Sequence, residues 1–250
     1  MKGIILAAGR GSRLNRLTAD KPKPLVELAG KPLFEWQLSA MQQAGISDIT
    51  VITGYLGEQF EGFPINRIHN PFWDKSNMVR TLLQADELLQ HEACLVSYGD
   101  IVYHPDWVKQ LNECPADIAI SYDKDWLALW SQRFDEPLSD AESFQSEGGY
   151  LTDIGRQVTD LADIAGQYMG LLLFRPHGWQ QVKNLLKDYS ATEIDKLDMT
   201  TLLSRLLNSG VSIATIAGSG RWLEVDDPDD LAFYEKRLIS HADWKHDWRH

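Results

Sequence analysis

Short apolar runs, each closed by a glycine, a proline or a polar break, recur along the chain. Gly3-Ile4-Ile5-Leu6 is the first, Ile49-Thr50-Val51-Ile52-Thr53 the second and Ala93-Cys94-Leu95-Val96-Ser97 another. Runs this short, apolar at successive positions, predict strands buried on both faces. Between the first two, Leu33, Trp36, Leu38 and Met41 return at near-helical spacing after Lys31-Pro32, and Ala44-Gly45 supplies a C-terminal cap. Strand, helix and strand in succession form a βαβ unit, which implies a parallel sheet with a right-handed crossover.

The alternation continues. A short strand is expected at 66–70 and a helix over 78–89, with Met78, Val79, Leu82, Leu83, Ala85, Leu88 and Leu89 on one broad apolar face. The strand at 93–97 delivers Tyr98-Gly99-Asp100 at its C-terminal end, where open parallel sheets bind ligands. A helix from Pro105 and a strand at 117–121 follow. From 123 to 149 the alternation lapses around Pro137 and Gly148-Gly149, which reads as an insertion over a site. Strands are expected again at 151–154, 167–174, 211–216 and 222–225, with helices at 178–187, 198–208 and 228–238. The tail 239–250 is polar and aromatic, and its histidines 241, 246 and 250 read as solvated.

Composition narrows the ligand. Lys+Arg of 24 against Asp+Glu of 36 leaves a net charge of −12, which disfavours a nucleic-acid backbone as partner. Two cysteines, Cys94 and Cys114, make neither a disulfide framework nor a metal-ligand pattern. His69, His91 and His104 show no ligand spacing. The chain enters a strand at once and has no apolar run near the ~20 residues that span a bilayer. The expectation is a cytoplasmic protein with neither a membrane nor a nucleic-acid partner; a homodimer is left open.

Against that acidity, Leu6-Ala7-Ala8-Gly9-Arg10-Gly11-Ser12-Arg13 followed by Lys21-Pro22-Lys23-Pro24 gathers four cations about one strand-to-helix loop. Glycines there let backbone N–H groups turn toward a phosphate. A dinucleotide fingerprint would need a glycine where Leu14 stands, and a P-loop would need Gly-Lys-Ser/Thr where Gly11-Ser12-Arg13 stands. The compound pattern that remains resembles the signature of nucleotidyltransferases that make NDP-activated sugars and CDP-activated alcohols.

That resemblance covers most of residues 1–238. It implies an α/β, Rossmann-like three-layer fold with a mostly parallel mixed sheet. One nucleotidyltransferase domain would span 1–238, with an insertion at about 123–150 over the acceptor site and a tail at 239–250. It implies that Arg13 holds the leaving phosphates and Lys23 meets the α-phosphate or the acceptor phosphate. Leu6, Ala7, Ala8, Gly9, Gly11, Ser12 and Tyr98 would lie at the nucleotide. Asp100 and Asp226 would hold Mg²⁺, with Glu224 and Asp227 as substitutes, although Asp226 could instead cap the helix at Pro228.

The segments 72–79, 97–103, 126–144 and 166–170 resemble bacterial cytidylyltransferases acting on phosphocholine, phosphonates or phosphoglutamine. The expected reaction is transfer of CMP from CTP to such an acceptor, with pyrophosphate released and an activated headgroup made for cell-surface decoration. Acceptor contacts are expected from Asn77, Trp126, Trp130, Gln167, Tyr168 and Glu224. Trp126, Trp130 and Phe134, at i, i+4 and i+8, could form an aromatic wall for an ammonium group or simply pack the insertion onto the sheet. Asp135, Asp140 and Glu142 could add charge pairing. The alternatives are a sugar-1-phosphate nucleotidyltransferase and a non-catalytic nucleotide sensor.

Overall fold

The computed structural model describes residues 1–240 and 243–250. Its frame is a nine-stranded sheet in the order Asn66–His69, Ile49–Thr53, Lys2–Ala7, Cys94–Tyr98, Gln167–Phe174, Ile118–Asp123, Ala214–Gly218, Tyr150–Gln157, Glu142–Glu147. The first four strands are parallel. Gln167–Phe174 runs antiparallel between Cys94–Tyr98 and Ile118–Asp123, to which Ala214–Gly218 is parallel. An antiparallel hairpin closes the far edge.

Successive side chains of a strand point to opposite faces, and here both faces are covered. Ile5 and Ala7 enter one apolar cluster with Phe34, Met41, Trp107, Leu111 and Tyr234 from three helices. Ile4 and Leu6 enter the other with Val79, Leu82, Trp179, Val182 and Leu202. The three layers, and the unbroken apolar runs that predicted them, have this common cause.

Local expectations hold where a specific cap enforces them. The helix Leu33–Gln43 ends at Gly45, whose φ is +87°, while Ile46 N–H donates to the Met41 carbonyl at 2.9 Å. The same device moves another element. Val211, expected in a strand, donates its N–H to Leu206 O at 3.0 Å and finishes the preceding helix, so the strand begins at Ala214. The expected helix over 78–89 is two, Met78–Leu82 and Asp86–His91, joined by a 3-10 turn. At the restart Asp86 accepts hydrogen bonds from Trp179 Nε1 (2.7 Å) and Lys183 Nζ (3.0 Å).

Two differences bear on the site. Trp222–Glu224 lies outside the main sheet and pairs antiparallel with Ile101–Tyr103 as a ribbon. The stretch after Asp123 forms a helix, Trp126–Arg133, a 3-10 turn, Pro137–Asp140, and the edge strand Glu142–Glu147.

The end of the chain packs back onto the body. Trp248 is 2% exposed and meets the Trp36 ring edge-on at 5.4 Å. His246, expected in solvent, is buried beside Asp123; His250 is exposed, and His241 falls outside the described residues. Arg221 N–H donates to Lys245 O at 2.8 Å, which ties this segment to the turn before the ribbon strand. Among the described residues no helix is long and apolar enough to cross a membrane.

Candidate active site

Strand Lys2–Ala7 opens into the glycine loop at the C-terminal edge of the parallel strands. Gly11 has φ +69°, and a Cβ there would stand 2.7 Å from Lys23 Cβ, so the missing side chain lets the lysine pass inward. Thr18 Oγ1 donates to Gly11 O at 3.0 Å and fixes the turn. The Lys23 side chain is 11% exposed, whereas that of Arg13 is 65% exposed.

The ribbon joins two distant acidic segments. Glu224 pairs with Ile101, and Val225 N–H donates to Asp100 O at 3.0 Å. As a result Asp100, Glu224 and Asp226 each offer a carboxylate oxygen within 4.8 Å of the others. Asp226 does not cap the following helix. Asp227 Oδ1 does, accepting from Asp229 N–H (2.9 Å) and Asp230 N–H (3.0 Å). Asp226 Oδ1 is therefore available to Arg13 Nη2 at 2.7 Å and Lys23 Nζ at 3.1 Å, while Lys23 Nζ also donates to Asp100 Oδ2 at 2.8 Å.

Electrostatics within the cluster are one-sided. Burial pushes the Glu224 carboxyl well above the usual carboxylate range, and the charges of Asp226 and Asp100 push it further. Burial alone would lower the Lys23 ammonium; the carboxylates of Asp100 and Asp226 more than offset it and leave its pKa raised. Asp100 Oδ1 is buried without a hydrogen-bond partner. Three hard oxygen donors, one of them with an orphaned oxygen, fit a hard divalent cation.

Two clefts meet at this trio. The first, about 260 Å³, is lined by Leu6, Ala7, Gly9, Gly11, Ser12 and Tyr98, together with Arg13, Lys23, Asp100 and Asp226. Ala8 is buried, and its carbonyl accepts the Tyr55 N–H at 3.0 Å instead of facing the cleft. The second cleft, about 280 Å³, is lined by Tyr98, Gln167, Tyr168 and Glu224 with Glu142 and Asp198. Tyr98 and Met78 border both clefts. A wider opening of about 840 Å³ runs from Arg13 and Asp226 past Gln167 and Glu224 to residues 138–142.

Three expected acceptor residues are elsewhere. Asn77 caps the helix Met78–Leu82, its Oδ1 accepting the Met78 N–H at 2.7 Å, and it lines none of these clefts. Trp126 and Trp130 are 4% and 0% exposed and belong to the core. Trp130 stacks on Trp222 with ring centroids 6.1 Å apart, and its Nε1 donates to Asp140 O at 3.1 Å. Their helical spacing marks the buried face of a helix. Sequence reasoning also passed over Asp198 and Met78 as cleft residues, and over Arg133 and Asp230 behind Asp226. Only the i, i+4 relation of Asp226 and Asp230 could have hinted at the last.

Residues 3–201 match the family model of the MobA-like NTP transferase domain. The chain belongs to this family. It is 34% identical over 248 residues to the CTP:phosphoglutamine cytidylyltransferase of Campylobacter jejuni, covering 92% of this chain and 98% of that protein. It is 26% identical to the CMP-5'-(3-aminopropyl)phosphonate synthase of Streptomyces rubellomurinus, over 94% of this chain and 36% of that longer protein. Its fold superposes on the CTP:phosphocholine cytidylyltransferase of Streptococcus pneumoniae with a TM-score of 0.72 at 22% identity, over 95% and 98% of the two chains.

The chain is thus a nucleotidyltransferase with a Rossmann-like fold. In such an enzyme two anionic reactants must approach each other, and here the cations Arg13 and Lys23 adjoin three carboxylates where the two clefts meet. The rings of Tyr98 and Tyr168 meet edge-on at 5.9 Å between the clefts. Burial pushes both phenol pKa values up, so these residues offer a neutral wall and O–H donors.

Proposed function

We propose that this nucleotidyltransferase is a Mg²⁺-dependent cytidylyltransferase. It would transfer CMP from CTP to a small phosphorylated or phosphonate acceptor that carries an amino or ammonium group, with release of pyrophosphate. The observation that carries the acceptor class is the charge of the second cleft. Glu142 and Asp198 line it beside the trio's Glu224, and no lysine or arginine does. Such a wall favours a cationic group over an uncharged sugar ring. The relatives named above, whose acceptors are phosphoglutamine, an aminopropylphosphonate and phosphocholine, support the same reading.

The chemistry is an in-line displacement. An acceptor oxygen, already anionic, forms a bond to the α-phosphorus of CTP while the bond to the β-phosphate oxygen breaks, and the electron pair leaves with pyrophosphate. No general base is needed. Lys23, at the inner end of the nucleotide cleft, is suited to the α-phosphate, and the more exposed Arg13 to the departing phosphates. Asp100, Glu224 and Asp226 would hold Mg²⁺, which when bound offsets phosphate charge and aligns the two reactants. The loop of Gly9 and Gly11 holds the nucleotide by its backbone, and Tyr98, shared by both clefts, sets the approach of the acceptor.

The test is pyrophosphate release with Mg²⁺, crossing CTP, UTP, GTP, ATP and dTTP against a panel of acceptors. The panel holds phosphoglutamine, 2-aminoethylphosphonate, phosphocholine and hexose 1-phosphates. Release with CTP and an aminated acceptor is expected. Release confined to UTP or dTTP with a hexose 1-phosphate would overturn the proposal.

A further inference from the structure

Behind Asp226 stands Arg133, the last residue of the helix Trp126–Arg133. Its side chain is 1% exposed and packs against the rings of Trp130 and Phe134, at 4.6 and 4.8 Å from their centroids. It lines neither cleft nor the wider opening. The guanidinium grips Asp230 with two bonds, Nε to Oδ1 at 2.7 Å and Nη2 to Oδ2 at 2.8 Å. Asp230 Oδ2 also accepts the backbone N–H of Asp226 at 2.8 Å. Arg133 Nη2 lies 3.8 Å from Asp226 Oδ2, the oxygen opposite the one held by Arg13 and Lys23.

A buried ion pair kept only for cohesion can usually be exchanged for apolar side chains at little cost. This one is joined to a residue of the carboxylate trio at both its backbone and its side chain. Arg13 and Lys23 face the nucleotide cleft and are free to turn to phosphates, whereas Arg133 is fixed by two rings and a two-bond grip. It can hold Asp226 in place while the other two cations change partners.

We propose that Arg133 and Asp230 are a positioning pair that keeps the Asp226 carboxylate turned toward Asp100 and Glu224, and so sets the divalent-cation affinity of the trio. This rests on the reading of the trio as a cation site. Partners that orient metal ligands from behind commonly control affinity by about 10- to 100-fold.

The experiment is Mn²⁺ binding followed by electron paramagnetic resonance on the 250-residue chain without substrates. Wild type is compared with Asp226→Asn, Arg133→Lys and the double variant Arg133→Met/Asp230→Asn, each checked for folding by circular dichroism. The double variant removes both charges and should remain folded, yet bind Mn²⁺ about tenfold or more weakly. Arg133→Lys, which keeps the charge and loses the two-bond grip, should weaken binding in the same direction. Wild-type affinity in either variant would overturn the inference alone, provided Asp226→Asn abolishes binding. If wild type binds no Mn²⁺, the inference falls together with the cation-site reading.

Discussion

Lys23 Nζ lies 2.8 Å from Asp100 Oδ2, so a cation from the glycine-loop segment is held by a carboxylate just past the end of strand Cys94–Tyr98. The same ammonium reaches Asp226. Lys23 thus pairs with two of the three carboxylates proposed to hold a metal ion. On the proposed mechanism, binding the nucleotide would exchange these partners, lysine to phosphate and carboxylates to metal.

If Lys23 neutralises the trio in this way, Lys23→Met should have two separable effects. Turnover should fall by about 10²- to 10³-fold, the usual loss for a charge-stabilising donor. The carboxylates left behind repel one another, so Mg²⁺ should raise the thermal midpoint of the variant more than that of wild type. Melting curves with and without Mg²⁺ read this directly. An equal shift in both proteins would show that the lysine does not occupy the cation site.

Asp100→Asn and Asp226→Asn each remove the charge of one proposed metal ligand and keep the side-chain volume. Each should lower turnover by roughly 10³-fold or more while the circular dichroism spectrum stays that of wild type. Chelation of the metal should abolish activity, and added Mg²⁺ should restore it. Near-normal turnover in either folded variant would remove that residue from the metal site.

The glycine-loop side of the candidate site was legible because its pattern is local. Strand, glycine turn and paired lysine-proline steps sit in one stretch, and each makes its own demand on the backbone. Asp100 and Asp226 were legible as strand-end carboxylates, although the ribbon that joins them, and the place of Glu224 as third member, depend on a pairing far apart in sequence. Arg133 was not legible at all. Its partner Asp230 is 97 residues away, and an arginine ending a helix looks like a surface residue. Trp126 and Trp130 show the opposite failure: a spacing that fits an aromatic wall fits a core-facing stripe equally well, and only burial separates the two.

That distinction gives a further test. Trp130→Ala should cost about 3–5 kcal/mol of stability, as for other large core aromatics, measured by urea denaturation. Trp130→Phe, in a protein that stays folded, should leave the acceptor KM within about twofold, since the ring touches neither cleft and acts through the core. A large rise in acceptor KM with unchanged stability would return Trp130 to the acceptor site.

Glu142 is a more direct probe of the acidic cleft, because it lines the cleft and caps no helix. Partial desolvation in the cleft, opposed by a hydrogen bond from Thr200 and joined by the charge of Asp198, pushes its carboxyl pKa up, which a cationic acceptor would reverse. Glu142→Gln should raise KM for an aminated acceptor by about 5- to 10-fold, in line with loss of one charged hydrogen bond, and leave KM for CTP unchanged. Equal KM values for the acceptor would mean that its cation is bound elsewhere.

The buried end of the chain predicts an acid-sensitive fold. His246 Nδ1 lies 3.5 Å from Asp123 Oδ2, and both atoms are buried without a hydrogen-bond partner. Burial lowers the His246 pKa; Asp123 and Asp125 pull it up, and Lys245 pushes it down. An unfolded histidine takes up its proton near pH 6.5 (about), whereas the folded one stays neutral to lower pH. The unfolded state therefore binds more protons, and this contribution to stability is present above about pH 6.5 and lost as pH falls through the folded pKa. Asp123, pushed up by burial, has the opposite sign; His246 lowers it, so the His246→Gln variant keeps this acid-favouring contribution in full. Between about pH 7 and 5 the thermal midpoint of wild type should fall more steeply than that of His246→Gln. Parallel slopes would place the acid sensitivity of the fold in other groups.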